Sequence, residues 1–202
     1  MLPSLAALRL DAMYPYRRLT TLASPNWKLA ADGYLDGYHL GFLHRDSIGQ
    51  KIINNRNTYD LFGPHVRLGF AGKGIDQIDT VPLDELYFPD CMSLVHYIFP
   101  NVSISGGHGD TIQLSRLFPG DAVNESTTVQ HQYFRQPVEG DLLESAEQKR
   151  QLYEQVVRDE DCDTIFTISS GLQAMSASPV IFGKNEKGNQ HFHRTVEEMT
   201  RG

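Results

Sequence analysis

The chain has 202 residues, of which 40% are hydrophobic and 21% are charged, a composition typical of a globular domain and not of a disordered chain. A formal net charge of −7 with no basic stripe argues against nucleic acid as a partner, and no apolar run reaches the roughly 20 residues of a membrane span. The two cysteines, Cys91 and Cys162, lie far apart, so we expect neither a disulfide framework nor a cysteine zinc site, and a cytoplasmic location is the natural one.

The first quarter of the chain predicts a lead-in, a strand and a helix. Prolines punctuate residues 1–25, within which 14–22 predict one extended strand. Residues 27–39 contain good helix formers and no proline, and either Ser24 or Asn26 can cap that helix.

The middle of the chain predicts an antiparallel meander, and the last third predicts helices. Strand-like runs separated by turn signals are found at 66–70, 92–99, 102–105, 111–118 and 125–134. Helical stretches follow at 139–157, near 160–172 and at 191–199, with a short strand predicted at 180–183. A helix, then several strands, then helices is the pattern of an α+β fold.

Two histidines, His39 and His44, are the most informative residues of the chain. Neutral imidazole is the commonest metal ligand in proteins, but on a regular helix five residues leave about 140° between two side chains. The two rings therefore converge on one ion only if the helix breaks between them, and Gly41 is placed to allow this. Asp36 precedes His39 by three residues, so its carboxylate can bind the ring nitrogen that does not face a metal. The pattern alone leaves metal ligands and packed core histidines about equally favoured.

The segment resembles the start of the catalytic domain in Rieske non-haem iron ring-hydroxylating oxygenase α subunits. The resemblance is carried by Asn-Trp-Lys at 26–28, Asp-Gly-Tyr-His at 36–39 and Phe-Leu-His at 42–44. It implies that His39 and His44 bind a mononuclear Fe(II) and that Asp36 is the acid that links this iron to the Rieske cluster of a neighbouring subunit.

The same resemblance implies a carboxylate as the third iron ligand. In the family this ligand lies in a Glu-Asp pair about ten residues before Gly-Leu, and counting back from Gly171 points to Asp161. Asp159 and Asp163 are close enough to be alternatives, and carboxylates also favour the first turn of a helix for electrostatic reasons alone.

The fold implied by the resemblance is a helix-grip fold, an antiparallel sheet wrapped around a long helix in a single domain. Residues 1–25 are then the lead-in that follows an absent Rieske domain, and 26–202 form the mononuclear-iron catalytic domain. The implied reaction is O2-dependent hydroxylation or demethylation of an aromatic or related small organic substrate, by a mono- or dioxygenase.

A Rieske [2Fe–2S] cluster needs Cys-x-His and Cys-x-x-His pairs, and neither cysteine has a histidine at these spacings. The cluster is therefore expected on a missing domain or a partner, and the chain is expected to be inactive without it. The implied partners are a Rieske domain or ferredoxin, an NAD(P)H reductase and further copies of the chain, most often in a trimer. The alternatives are a non-catalytic helix-grip module that binds a small ligand or metal, and a hydrolase that uses metal-activated water.

The wall of a substrate pocket is only weakly indicated by the sequence. His96 and His131 fall in strand-like runs, where either can point into a pocket. The apolar candidates for its wall are Phe99, Ile112, Leu114 and Met175. Each of these apolar side chains, taken alone, is more often a core residue.

Overall fold

The fold is built on one seven-stranded antiparallel sheet with helices on both of its faces. The computed structural model describes residues 1–106, 109–174 and 180–201. The strands are β1 (Tyr14–Ser24), β2 (Ile52–Phe62), β3 (His65–Gly72), β4 (Met92–Ile98), β5 (Val102–Gly106), β6 (Thr111–Pro119) and β7 (Ser126–Phe134). Their order across the sheet is β1-β7-β6-β5-β4-β3-β2, so only β1 leaves the sequential order, by pairing with β7 at the edge.

The helices are short apart from one. They are α1 (Leu2–Ala7), α2 (Trp27–Leu35), α3 (Phe88–Cys91), α4 (Leu142–Gln155), α5 (Asp163–Ala174) and α6 (Lys187–Thr200). A π-helical stretch, Val156–Cys162, joins α4 to α5, so that residues 142–174 form one helix of 33 residues. Short 3₁₀ turns occupy Leu10–Ala12, His39–Gly41, Ile48–Lys51 and Ile75–Asp79. Among the described residues no helix is both long and apolar enough to cross a bilayer.

The main core lies between α2, α6 and the face of the sheet that we call the inner face. Leu68 on β3, Tyr97 on β4 and Leu117 on β6 share this face because cross-strand partners point the same way. They pack with Leu35 of α2 and with Phe192 of α6, whose ring meets that of Tyr97 edge to face at 5.6 Å. The core therefore fixes α2 against the sheet, directly before the two histidines.

The opposite face, the outer face, is covered by the N-terminal segment. Leu8 and Met13 pack there with Ile104 and Ile112, and Arg135 donates to the backbone oxygen of Leu8. The segment 1–25 thus supplies both β1 and a second, smaller core.

The predicted α+β class with an antiparallel sheet and a long helix is confirmed, while two local predictions are wrong and one strand was missed. The helix predicted over 27–39 ends at Leu35, β2 was not predicted at all, and residues 180–183 form no strand. Residues 180–183 are apolar but lie at the surface, where Ile181 is 88% exposed and no described strand pairs with them. The stretches 139–157 and 160–172 are parts of one continuous helix because no proline or glycine separates them.

Two glycines allow a stability test of the turn that carries His44. A Cβ on Gly49 would lie 2.1 Å from the backbone oxygen of Leu40 and 2.7 Å from that of His44, whereas a Cβ on Gly171 in α5 would meet nothing within 4 Å. We expect Gly49→Ala to lower the free energy of unfolding by about 1–3 kcal/mol through overpacking. We expect Gly171→Ala to raise it by roughly 0.5–1 kcal/mol through helix propensity. Urea unfolding of the two variants checks this, and equal effects would contradict the packing described for Gly49.

Candidate metal centre

The end of α2 is set by the side chain of Asp36. Asn26 begins the helix by accepting a hydrogen bond from the backbone N–H of Lys28 at 2.9 Å. At the other end Asp36 adopts an extended backbone, and its carboxylate accepts from the N–H groups of Tyr38 at 2.7 Å and His39 at 3.1 Å. Because these bonds replace the next helical ones, the chain turns away before His39.

A 3₁₀ turn then brings the two histidines together. The turn spans His39–Gly41, and the rings of His39 and His44 meet with centroids 4.9 Å apart and planes at 74°. Gly41 allows this turn by a close approach, because a Cβ there would lie 2.3 Å from the side chain of Asn54. The predicted break between the histidines is therefore present, but it begins at Asp36, before His39.

The π-helical stretch supplies two consecutive carboxylates that contact opposite edges of the His44 ring. Glu160 Oε2 lies 2.6 Å from His44 Nδ1, and Asp161 Oδ1 lies 3.1 Å from His44 Nε2. Glu160 Oε2 also accepts a hydrogen bond from the Ser47 hydroxyl at 2.9 Å. Single π-helical turns are uncommon and occur often at functional sites.

Both histidines present the same nitrogen to Asp161. His39 Nδ1 lies 3.2 Å from Asp36 Oδ2, as His44 Nδ1 lies beside Glu160, and each Nδ1–H can donate to its carboxylate. The two Nε2 atoms then carry lone pairs on the side of Asp161 Oδ1, which is 3.9 Å from His39 and 3.1 Å from His44. A carboxylate on the far nitrogen of a ligand histidine fixes its tautomer and raises its basicity.

The donor set fits a divalent transition metal. One ligand atom each from His39, His44 and Asp161 lie within 4.8 Å of one another, a separation that one ion bound to all three would produce. Two imidazoles and one carboxylate are the ligands of the facial-triad type, which suits iron. Three carboxylates, those of Asp36, Glu160 and Asp161, surround the pair of histidines and favour a cation between them.

The structure distinguishes among the three candidate acids. Asp161 faces the histidines, whereas Asp159 pairs at the surface with Arg158 at 2.6 Å and Asp163 is exposed. Sequence reasoning gave no role to Glu160 or to Ser47. The feature of the sequence that could have indicated Glu160 is its position directly before Asp161.

The charge at the site is visible in two pKa shifts. Burial lowers the pKa of His44, which is 1% exposed, but the hydrogen bonds and negative charges of Asp161 and Glu160 outweigh it, so the pKa is raised. Burial raises the pKa of Asp36, yet its bonds to the His39 ring and to the backbone of Tyr38 and His39 lower it overall.

A small cavity of about 40 Å³ adjoins Asp161. It is bounded by α2, β7 and the helix 142–174, with Tyr34, Thr128 and Ile165 among its lining residues. Three of the apolar candidates for the pocket wall take the alternative role of core residues: Ile112 and Leu114 belong to the core on the outer face, and Phe99 packs on Phe192 in the main core. Met175 lies outside the described residues.

The two strand histidines also point away from the site. His96 and His131 are cross-strand partners of Ile104 and Leu114 and so lie on the outer face. His96 contacts the Ser4 hydroxyl at 2.6 Å, and His131 contacts Arg116 at 3.1 Å. Neither residue can take part in chemistry at the cavity beside Asp161.

Comparison with known proteins gives one family and a set of similar structures. Residues 10–202 match the family model described as ring hydroxylating alpha subunit (catalytic domain). No curated protein sequence matches the chain. A quaternary ammonium Rieske monooxygenase, CntA, bound to an inhibitor superposes with a TM-score of 0.71 at 16% identity, covering 93% of this chain and 50% of that one.

Two other similar structures contain different bound molecules. Dicamba monooxygenase bound to dicamba has a TM-score of 0.67 at 12% identity, covering 94% of this chain and 59% of that one. A mutant of NdmA from Pseudomonas putida with theobromine has a TM-score of 0.59 at 12% identity, covering 97% and 53%. The chain thus spans about half the length of these relatives, and at such identities the likeness shows a shared fold.

The raised pKa of His44 predicts how the stability of the metal-free protein depends on pH. A raised folded-state pKa adds stability that is complete below the unfolded value of 6.5 and is lost as the pH rises through the folded value. We therefore expect the advantage of the wild type over His44→Gln, in the free energy of unfolding with chelator present, to shrink from pH 6 to pH 9. An advantage that grows over this range would contradict the assigned contacts.

Proposed function

The chain belongs to the ring-hydroxylating α-subunit catalytic-domain family, and we propose that it holds one Fe(II) on His39, His44 and Asp161. We propose further that it uses O2 to hydroxylate or demethylate a small organic molecule. The observation that carries the proposal is the approach of one ligand atom each from His39, His44 and Asp161 to within 4.8 Å, from two segments more than 110 residues apart. The monooxygenases that share the fold are oxidoreductases.

Bound Fe(II) supplies the redox chemistry with O2, for which no amino acid side chain is suited. The residues of this chain hold the three ligand atoms in place. Asp36 and Glu160 orient the two imidazoles by accepting from their Nδ1–H groups. Tyr34, Thr128 and Ile165 close the space beside Asp161, where the substrate would bind.

Asp36 is our proposed entry point for electrons. One of its oxygens contacts the His39 ring at 3.2 Å, and its side chain is 20% exposed, so it joins the ligand to the protein surface. We propose that a Rieske cluster held outside these 202 residues docks there and is itself reduced by an NAD(P)H reductase. A trimer, in which the donor belongs to a neighbouring copy, is the assembly proposed for the whole protein.

The substrate is not carried over from the similar structures. Their bound molecules are as different as dicamba and theobromine, and the identities are between 11% and 17%. An aromatic or related small molecule remains the proposed class.

Anaerobic Fe(II) titration followed by metal analysis tests the ligand set. We expect one Fe(II) per chain in the wild type and in Asp163→Ala. We expect its loss in His39→Ala, His44→Ala and Asp161→Ala, because each removes one of three protein ligands. Asp163→Ala is the matched control, since it removes an exposed acid two residues after Asp161.

Iron retained in Asp161→Ala but lost in Asp163→Ala would reject our choice of acid. For activity, we expect product from the iron-loaded chain only when O2, a Rieske protein and a reductase are all present. Turnover of a substrate without O2 would reject the oxygenase and favour a hydrolase.

Glu160→Gln tests the support given to His44. The variant keeps an acceptor for the Nδ1–H group but removes the charge, so His44 becomes a weaker base. Loss of such a partner typically weakens metal binding about 10- to 100-fold, and we expect Fe(II) and Co(II) dissociation constants to rise within that range. Glu198→Gln on the exposed side of α6 is the control and should bind as the wild type does. Equal affinity in the two variants would remove Glu160 from the site.

A further inference from the structure

The inner face of the sheet changes from apolar to polar on the side of the metal centre. Its β3 and β4 part consists of residues such as Val66, Leu68 and Tyr97, all packed in the main core. Its β5 to β7 part instead presents Ser103, Gln113, Ser115, Gln130 and Gln132, each at most 7% exposed. The registers place these on one face, because Ser103 pairs with Ser115, Ser115 with Gln130, and Gln113 with Gln132. We call these five residues the polar strip.

Five polar atoms of the strip have no hydrogen-bond partner among the described residues. They are Ser103 Oγ, Gln113 Oε1, Gln113 Nε2, Gln130 Oε1 and Gln132 Oε1. A buried polar atom that loses its water and gains no partner destabilises the fold, so native proteins contain few of them. A cluster of both donors and acceptors on one face therefore indicates a bound polar molecule that completes it.

Tyr34 connects the polar strip to the metal centre. Its hydroxyl accepts a hydrogen bond from Gln130 Nε2 at 3.3 Å, and the same amide reaches Ser115 Oγ at 3.4 Å. Burial raises the pKa of Tyr34 to about 12, so the hydroxyl keeps its proton and can donate. Tyr34 also lines the cavity beside Asp161.

The polar strip contains no charged side chain. The remaining inner-face positions of the same three strands are uncharged too: Ser105, Thr111, Leu117, Pro119, Ser126, Thr128 and Phe134. A buried carboxylate or ammonium needs an opposite charge or a metal beside it, and this face offers neither to the part of a ligand that lies on it. Amides instead match groups that combine an acceptor and a donor.

We infer that the substrate is an uncharged molecule carrying a carbonyl acceptor next to an N–H or O–H donor, such as an amide or lactam, held by Gln113, Gln130 and Gln132. The inference rests on the proposed function only in naming this molecule the substrate, since the site needs no metal. The cavity of about 40 Å³ has room for one or two waters, and it is lined by Tyr34, the hydrogen-bond partner of Gln130, and not by the glutamines themselves. A ring-sized molecule that reaches the glutamines from this cavity therefore requires Tyr34 to turn aside and the helical wall, which includes Val157, Cys162 and Ile165, to move outward.

Three six-membered-ring probes test this inference: 2-pyridone, benzene and benzoate. Binding to the metal-free and zinc-loaded chain is followed by the ¹⁵N–¹H signals of the glutamine side-chain amides. We expect 2-pyridone to shift the signals of Gln113 or Gln130 and to bind at least about tenfold tighter than benzene or benzoate, which leave donors or charges unpaired. Gln113→Leu and Gln130→Leu should each weaken 2-pyridone binding roughly 2- to 10-fold, with the exposed Gln155→Leu as control.

A second measurement separates a ligand site from a structural one. If the glutamines serve a ligand, Gln113→Leu and Gln132→Leu leave the melting temperature of the unliganded protein unchanged or raise it, because an apolar group replaces an unpartnered one. Stronger binding of benzene or benzoate, binding unaffected by the leucine variants, or amides that report ordered water only would each overturn the inference. If 2-pyridone binds as expected but no Fe(II) does, the proposed function fails and the ligand site stands.

Discussion

The imidazole of His44 is held between two consecutive carboxylates, and the rest of the site depends on this contact. Glu160 fixes its Nδ1 and Asp161 faces its Nε2, so one ring ties the turn after α2 to the middle of the longest helix. The ring is 1% exposed, and charges interact more strongly where water is excluded. Any metal bound there is therefore positioned by two segments, and the main core holds the one that follows α2.

Two irregularities of the helices make this contact possible. The carboxylate of Asp36 ends α2 by taking the N–H groups of Tyr38 and His39, and the helix 142–174 widens into a π-helical turn at Glu160 and Asp161. If α2 continued as a regular helix, the side chains of His39 and His44 would diverge by about 140°. Local backbone irregularity is thus concentrated where the ligand atoms converge, as expected where function competes with regular structure.

The sequence predicted six of the seven strands because alternation at period two marks a half-buried strand. Alternation at period two does not reveal β2, because the start of this strand is rich in asparagine and Asn55 has a φ of 61°. That strand exists because tertiary contacts support it: Asn54 and Asn57 pack where Gly41 and Gly37 have no side chain. The proposed ligands His39, His44 and Asp161 were predictable as a motif, whereas Glu160, Ser47 and the polar strip were not. Period two shows that residues alternate between faces but does not show which face lies inside.

The division of the inner face explains how one sheet serves stability and binding together. A fully buried large apolar side chain contributes about 1.5–3 kcal/mol, and Leu68, Tyr97, Leu117 and Phe192 supply this in the main core. An unpartnered buried polar atom costs about 1–3 kcal/mol, so the five atoms of the polar strip offset much of that gain. In the inference made above, a bound molecule removes this cost. The polar strip contacts Tyr34, which lines the cavity beside Asp161, and the apolar half of the same face holds α2, the helix that carries Tyr34.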